Sequence, residues 1–254
     1  MEQQLMAYFG HHKSGTTWIS KIIESVCSDL QIKYARFYSP KLFDLDLKTC
    51  LARKDINFFS YTNADISYVQ NLSNLRGFHV IRDPRDIVVS AYFSHLYSHS
   101  TEPWPELVEQ RNCLKLLSKS QVLLLTIDFL KYLRVNEFNH NLFYSMYNWN
   151  YSMPNVMEIK FEDLINNSSE KFLKIFNFLG IFDNEKILNA VQKNNFSVLS
   201  GGRKTGQEDY RNHYRKGMPG DWKNHFEKEH IQYFKSNYND LLIKLGYETN
   251  EDWY

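Results

Sequence analysis

Gly10-His11-His12-Lys13-Ser14-Gly15-Thr16-Thr17-Trp18 is the stretch on which the reading of this chain turns. The run before it, residues 5–9, is short and apolar, ends at Gly10, and predicts a buried strand. Behind it, Trp18, Ile19, Ile22, Ile23 and Val26 recur at helical spacing and predict a helix over residues 17–30. The stretch is therefore a strand–loop–helix junction. A helix start offers unpaired backbone N–H groups and the positive end of the helix dipole. Gly15 lets the backbone approach an anion closely. Ser14, Thr16 and Thr17 add hydroxyl donors, and Lys13 adds a full positive charge. Together they make a phosphate cradle, where a plain tight turn is the structural alternative. The order of residues is not that of a Walker A loop, in which Lys-Ser/Thr follows the last glycine. Here Lys13 precedes Gly15, and Thr16 follows it.

Outward from the loop, strands are predicted over 32–38, 56–61, 77–81 and 156–161. After residue 81, Asp83 suits a helix cap, Pro84 the first helical position and Asp86 the first turn. Ile87, Val88, Ala91, Tyr92 and His95 mark one face of that helix. Further helical patterns occupy 106–118, 121–134, 138–150, 168–179 and 184–193, and two segments, 226–236 and 238–245, close the chain. Residues 98–105 read as a polar loop. Residues 198–221, with five glycines, read as a long functional loop. Strands alternating with helices predict an α/β fold, a parallel central sheet flanked by helices. No repeat or linker interrupts the pattern, so residues 1–254 are expected to form one domain.

Composition narrows the partners. Hydrophobic residues are 43% of the 254 and charged residues 23%, a globular balance that supports a substantial core. A net charge of +1 gives no global attraction to nucleic acid or an anionic membrane, so any anion site is local. Cys27, Cys50 and Cys113 are odd in number and form no CxxC pair, which argues against a disulfide framework or a zinc cluster and for a reducing cytoplasm. The first residues lack a signal-peptide pattern, and the longest apolar run, 122–127, is too short to span a bilayer.

Two further segments join the loop. Val80-Ile81-Arg82-Asp83-Pro84-Arg85-Asp86-Ile87-Val88-Val89-Ser90 sets an arginine at a strand end and a serine on the following helix, so that Arg82 and Ser90 can converge on one phosphate. A salt bridge from Arg82 to Asp83 or Asp86 is the plainer reading. Arg215-Lys216-Gly217-Met218-Pro219-Gly220-Asp221-Trp222-Lys223-Asn224 is either a basic solvated loop or a second anion grip. In this order, the three segments resemble the donor site of the sulfotransferases that use 3′-phosphoadenosine-5′-phosphosulfate (PAPS). The resemblance implies that Lys13, Ser14, Gly15, Thr16 and Thr17 hold the 5′-phosphosulfate, and that Arg82, Ser90, Arg215, Lys216 and the Gly217 amide hold the 3′-phosphate. It places Trp18 and Phe196 against the adenine. PAP is then the product, and no metal is expected. In the family's Tyr-Glu-Asp stretch this chain has Phe161-Glu162-Asp163, so a hydroxyl is lost.

The resemblance implies in-line sulfuryl transfer to a hydroxyl or amine of a small acceptor, such as a secondary metabolite or alkaloid, with Lys13 meeting the leaving oxygen. The family's usual Lys-Thr-His base segment is absent. That place reads Phe59-Ser60-Tyr61-Thr62-Asn63-Ala64-Asp65. His12 and His11, then Asp65, then His95 and His99 are the candidate bases, each with a structural hydrogen bond as its alternative. The family's dimerisation pattern is not seen after Lys223, which leaves the oligomeric state open. A nucleotide-dependent kinase and a non-catalytic PAP-binding module are the competing readings.

Overall fold

The computed structural model describes residues 4–102, 104–131 and 138–254, together with the strand at 133–135; within 132–140 only the backbone of the two strands is described. Pro103, part of the expected loop 98–105, lies outside the described residues, as do residues 1–3, 132, 136 and 137. In chain order the elements are β1 (Leu5–Gly10), α1 (Thr16–Asp29), β2 (Tyr34–Phe37), α2 (Leu47–Arg53), β3 (Phe58–Tyr61), α3 (Ile66–Val69), β4 (Leu75–Ile81), α4 (Pro84–Phe93), α5 (Leu107–Leu114), α6 (Lys119–Lys131), β5 (Leu133–Val135), β6 (Phe138–His140), α7 (Leu142–Asn148), β7 (Val156–Lys160), α8 (Phe161–Asn166), α9 (Ser168–Phe178), α10 (Asn184–Lys193), α11 (Phe196–Leu199) and α12 (Lys228–Lys244). They divide into two compact units. One comprises the chain up to Ile81 with Asn148–Val198, the other Arg82–Tyr147 with Leu199–Tyr254.

The first unit is built on a five-stranded sheet in the order β2-β3-β1-β4-β7, with every pairing parallel. Side chains alternate between its faces. Tyr8, Phe58, Phe78, Val80 and Ile159 meet Ile19, Ile22, Ile23 and Val26 of α1, Phe172 and Phe176 of α9, and Ile187 and Val191 of α10. On the other face Ala7, Phe9, Phe37, Phe59 and Tyr61 pack with Phe43, Leu47, Leu51, Val69 and Trp149. Both faces are covered, which is why the strands read as continuous apolar runs. The chain leaves β1 toward β2 on one side, while β4 flanks β1 on the other. The carboxyl end of β1 is thus a topological switch point, the place where open parallel sheets bind ligands.

In the second unit, α4 starts as its sequence predicts. Asp83 accepts the Arg85 N–H at 2.9 Å, with Pro84 in the first turn. α4 runs on into a π-turn, Ser94–Ser98. Arg111 of α5 clasps this turn from outside: its Nε donates to the His95 carbonyl at 2.5 Å and its Nη2 to that of His99 at 2.6 Å. The helices expected over 121–134 and 138–150 are shorter than predicted. α6 ends at Lys131, and an antiparallel pair, β5 with β6, follows. Asn141 then caps α7 by accepting the Tyr144 N–H at 2.9 Å. The two closing segments are one helix, α12, broken by a non-helical Tyr238 at φ −141°.

Arg85 anchors the start of α4. It is 3% exposed, bonds both Asp83 oxygens, pairs with Glu248 at 2.5 Å, and lies between the Trp222 and Trp253 rings at 4.0 and 4.7 Å. Removing it strands two carboxylates and opens the gap between the indoles. Arg85→Ala is therefore expected to cost about 3 kcal/mol in urea unfolding; a loss below about 1 kcal/mol contradicts this account.

Candidate active site

The loop between β1 and α1 is held by backbone conformation. The Ser14 N–H donates to the His11 carbonyl at 3.0 Å, and Lys13 and Gly15 take left-handed φ values of 64° and 78°. A Cβ on Gly15 would strike the Phe161 ring, so this position needs glycine for its φ and for the close approach alike. Gly15 is also the N-cap of α1. It brings no side-chain cap, and the first turn carries no acidic residue. The helix start is thus left electropositive. Ser14 is fully buried, and its Oγ has no hydrogen-bond partner among the described residues. An unpaired buried hydroxyl is costly unless a ligand group completes it. These features suit an anion of the size of a phosphosulfate.

Trp18 is half-buried on α1. Its indole N–H donates to the Asn194 carbonyl at 2.9 Å, and its ring meets Phe161 and Phe172 edge-on. Asn194 closes α10 two residues before Phe196, which is also half-buried, so the two expected adenine contacts share one anchor in this unit. Asp65 caps α3: its Oδ1 accepts the Ser67 N–H at 2.9 Å and the Ser67 hydroxyl at 2.8 Å. Its neighbour Ala64 donates to the Gly10 carbonyl at 2.9 Å, which ties the exit of β3 to the end of β1. His12 and Lys13 are half-buried on the loop.

His11 is fully buried, and its partners were not legible in the motifs. Its Nε2 lies 2.8 Å from His79 Nε2, and His79 Nδ1 lies 2.7 Å from Glu158 Oε2. The other carboxylate oxygen accepts the Trp149 indole N–H at 2.9 Å. Strand register builds the chain: β1 with β4 sets Phe9 opposite His79, and β4 with β7 sets His79 opposite Glu158. Burial pushes the His79 ring down to about 3. Burial also pushes the Glu158 carboxyl up to about 8, against the Trp149 bond, which favours its ionised form. His79 on the interior strand β4 and Glu158 on the edge strand β7 are polar residues within largely apolar runs, a signal the sequence does carry.

The second unit brings together the remaining expected residues. Arg82, 8% exposed, reaches Asp86 at 3.8 Å, so its ion pair is buried rather than superficial. Asp86 in turn accepts the Gly220 N–H at 2.6 Å and the Trp222 N–H at 2.9 Å, binding the 215–224 loop to the start of α4. The Arg215 guanidinium lies 4.3 Å over Phe93, one turn beyond Ser90. Arg215 and Lys216 both pair with the buried Asp221 at 2.5 Å. Burial alone would raise the Asp221 carboxyl, but its bonds to His225, Lys216, Asn224 and Arg215 outweigh this and hold it far below the usual range. Gly217 has φ 65°. His95 and His99 pack edge-on against Trp104, at 5.1 and 5.7 Å. Among the described residues one group, Glu227, Glu229 and His230, gathers metal-type atoms. It forms the cap of α12, where the Glu227 N–H donates to His230 Nδ1 at 2.9 Å.

A parallel α/β sheet with a strand–loop–helix at the switch point of its central strand defines the class, an α/β fold. Residues 8–246 match the family described as "Sulfotransferase domain", and the chain belongs to that family. Sulfotransferase 6B1 of Danio rerio is 30% identical over 105 residues, which are 40% of this chain and 36% of that protein; the chain thus aligns with little more than a third of that curated relative. Among solved structures, mouse sulfotransferase SULT7A1 complexed with PAP superposes with a TM-score of 0.62 at 19% identity, covering 94% of this chain and 84% of the other. Retinol dehydratase in complex with androsterone and inactive cofactor PAP gives 0.58 at 18%, covering 93% and 80%. These likenesses show the fold.

Two outcomes follow from the loop and from Glu158. Gly15→Ala is expected to lose about 2 kcal/mol, from left-handed strain and the Phe161 clash together, as read by chemical unfolding. For Glu158 the folded carboxyl sits above the unfolded value of 4.5. Its contribution is therefore full below about 4.5 and is lost as pH rises toward about 8. Glu158→Gln removes that dependence, so the wild-type-minus-variant stability difference should decline across this window. A flat difference refutes the assignment.

Proposed function

We propose that this chain is a PAPS-dependent sulfotransferase that moves a sulfuryl group to a hydroxyl or amine of a small acceptor, with PAP as product. The observation that carries the reading is the loop. Gly15 is left-handed, α1 is uncapped and free of first-turn acid, and Ser14 Oγ is buried without a partner among the described residues. Membership of the sulfotransferase domain family and the PAP named with both solved relatives support it. The family match runs through both compact units, and we take them as one catalytic domain.

In this reading Lys13, Ser14, Gly15, Thr16 and Thr17 take the 5′-phosphosulfate. Trp18 and Phe196 take the adenine, and Arg82, Ser90, Arg215, Lys216 and Gly217 take the 3′-phosphate. The acceptor oxygen or nitrogen bonds to sulfur while the bond from sulfur to the phosphate oxygen breaks, and the acceptor's proton leaves to a base. Transfer of this kind needs alignment and charge stabilisation more than covalent help. Lys13 supplies the charge at the leaving oxygen. The 5′ end needs no metal in this scheme, since fixed donors already surround it. Among the described residues no helix is long and apolar enough to cross a membrane, and the three cysteines carry free thiols, which suits work in a reducing cytoplasm.

The test is thermal shift with PAP against ATP, each with and without Mg²⁺. PAP at a hundredfold excess over its dissociation constant is expected to stabilise the fold by about 2.7 kcal/mol without Mg²⁺. Stabilisation by ATP with Mg²⁺ alone overturns the reading in favour of a kinase. Lys13→Ala is expected to lose PAPS turnover by at least about a hundredfold. A variant that keeps the wild-type rate removes Lys13 from the chemistry.

A further inference from the structure

The sulfuryl-transfer reading leaves the acceptor's proton in need of a destination. We propose that His11, His79 and Glu158 form a buried proton relay that receives this proton at the phosphate-cradle loop and stores it on Glu158, an inference that rests on the reading above.

The argument begins with hydrogen-bond bookkeeping. Two imidazole nitrogens 2.8 Å apart share one proton, so the tautomers of His11 and His79 are locked together. When Glu158 is ionised, it accepts from His79 Nδ1–H. His79 Nε2 then accepts from His11 Nε2–H, and His11 Nδ1 holds a basic lone pair. When Glu158 is protonated, the pattern reverses: Glu158 donates to His79 Nδ1, His79 Nε2–H donates to His11, and His11 Nδ1 carries the hydrogen. One step connects the two patterns. The acceptor's proton goes to His11 Nδ1, the His11 Nε2 proton goes to His79 Nε2, and the His79 Nδ1 proton goes to Glu158 Oε2. The negative charge of Glu158 is discharged, and neither ring becomes an imidazolium.

Charge and burial favour this route. His11 and His79 are fully buried, a setting that penalises a charged ring. The carboxylate is the cheaper home for the proton, consistent with its raised value near 8 and the depressed value of His79. Trp149, whose ring lies 4.3 Å from His79 and whose N–H holds the second Glu158 oxygen, and Tyr151 at 5.8 Å also face the relay. Burial and the Glu158 charge raise the Tyr151 hydroxyl well above its usual range, so it stays protonated. Glu158 keeps 25% of its side chain exposed, while His79 keeps none, so the proton leaves to solvent from the carboxylate end. His11 is then the group that takes the proton, and His79 and Glu158 position and reset it.

The test uses the full chain with ¹⁵N-labelled histidine, read by long-range ¹H–¹⁵N spectra from pH 5.5 to 9.5. Both rings are expected to stay neutral throughout and to exchange tautomers together about a single midpoint near 8. Glu158→Gln is expected to abolish the step, and His79→Gln to uncouple His11 from it. Imidazolium formation by His11 or His79 in this range, or tautomers that do not change, overturns the relay. A kinetic arm follows PAP release from PAPS with water as the probe acceptor. The wild-type rate is expected to rise about tenfold per pH unit up to about 8 and then level off. Glu158→Gln is expected to be flat and at least tenfold slower, with PAP binding unchanged. A Glu158→Gln profile that follows wild type also overturns the relay. Absence of a PAP thermal shift in the wild type instead sinks the sulfotransferase reading, and the coupled titration is then judged by the spectra alone.

Discussion

The conformation of one tripeptide, Lys13-Ser14-Gly15, is the constraint on which the rest depends. Two left-handed residues in three turn the buried end of β1 into the start of a helix without spending a side chain on the helix cap. The cost of such a turn is met by burial on either side. Tyr8 precedes it in the sheet and Ile19 and Ile22 follow it against the same core, Phe9 is buried on the opposite face, and the Phe161 ring lies against Gly15 itself. Because the helix start is uncapped and free of acid, its dipole is directed at whatever sits before it. The rigid scaffold of β1 and α1 thus delivers an electropositive loop at the switch point of the sheet.

Charge is handled differently in the second unit. There the basic residues expected to bind a phosphate are already balanced by buried carboxylates: Arg82 by Asp86, and Arg215 and Lys216 by Asp221. Asp86 does double duty by also accepting two backbone N–H groups of the 215–224 loop. This arrangement fixes long, flexible cations in one geometry before any ligand arrives, which lowers the ordering cost of binding. Phe93 beneath Arg215 and the two indoles around Arg85 serve the same end.

The sequence was legible where local chemistry dominates. The strand–loop–helix, the Asp83 cap and the break near Tyr238 follow from residue type and spacing, and each lies within a few residues of its expected place. It was misleading at 133–134 and 138–140, where a helical pattern was read and the backbone pairs as β5 with β6, because short apolar runs do not distinguish the two. Asp65 illustrates a subtler limit. As a carboxylate near the loop it suggested a base, and its Oδ1 also caps α3, a role that depends on the turn its neighbours make.

What the sequence by itself determined is the parallel α/β class and the place of the strand–loop–helix at residues 5–29, since both rest on patterns among residues close along the chain. What only the tertiary structure decided is the company that loop keeps. His11, His79, Glu158 and Trp149 lie far apart in the chain and meet because parallel strand register sets Phe9 beside His79 and His79 beside Glu158. Register is a property of the packed sheet, not of any one strand, and so the buried polar chain behind the loop appears only when the strands are side by side.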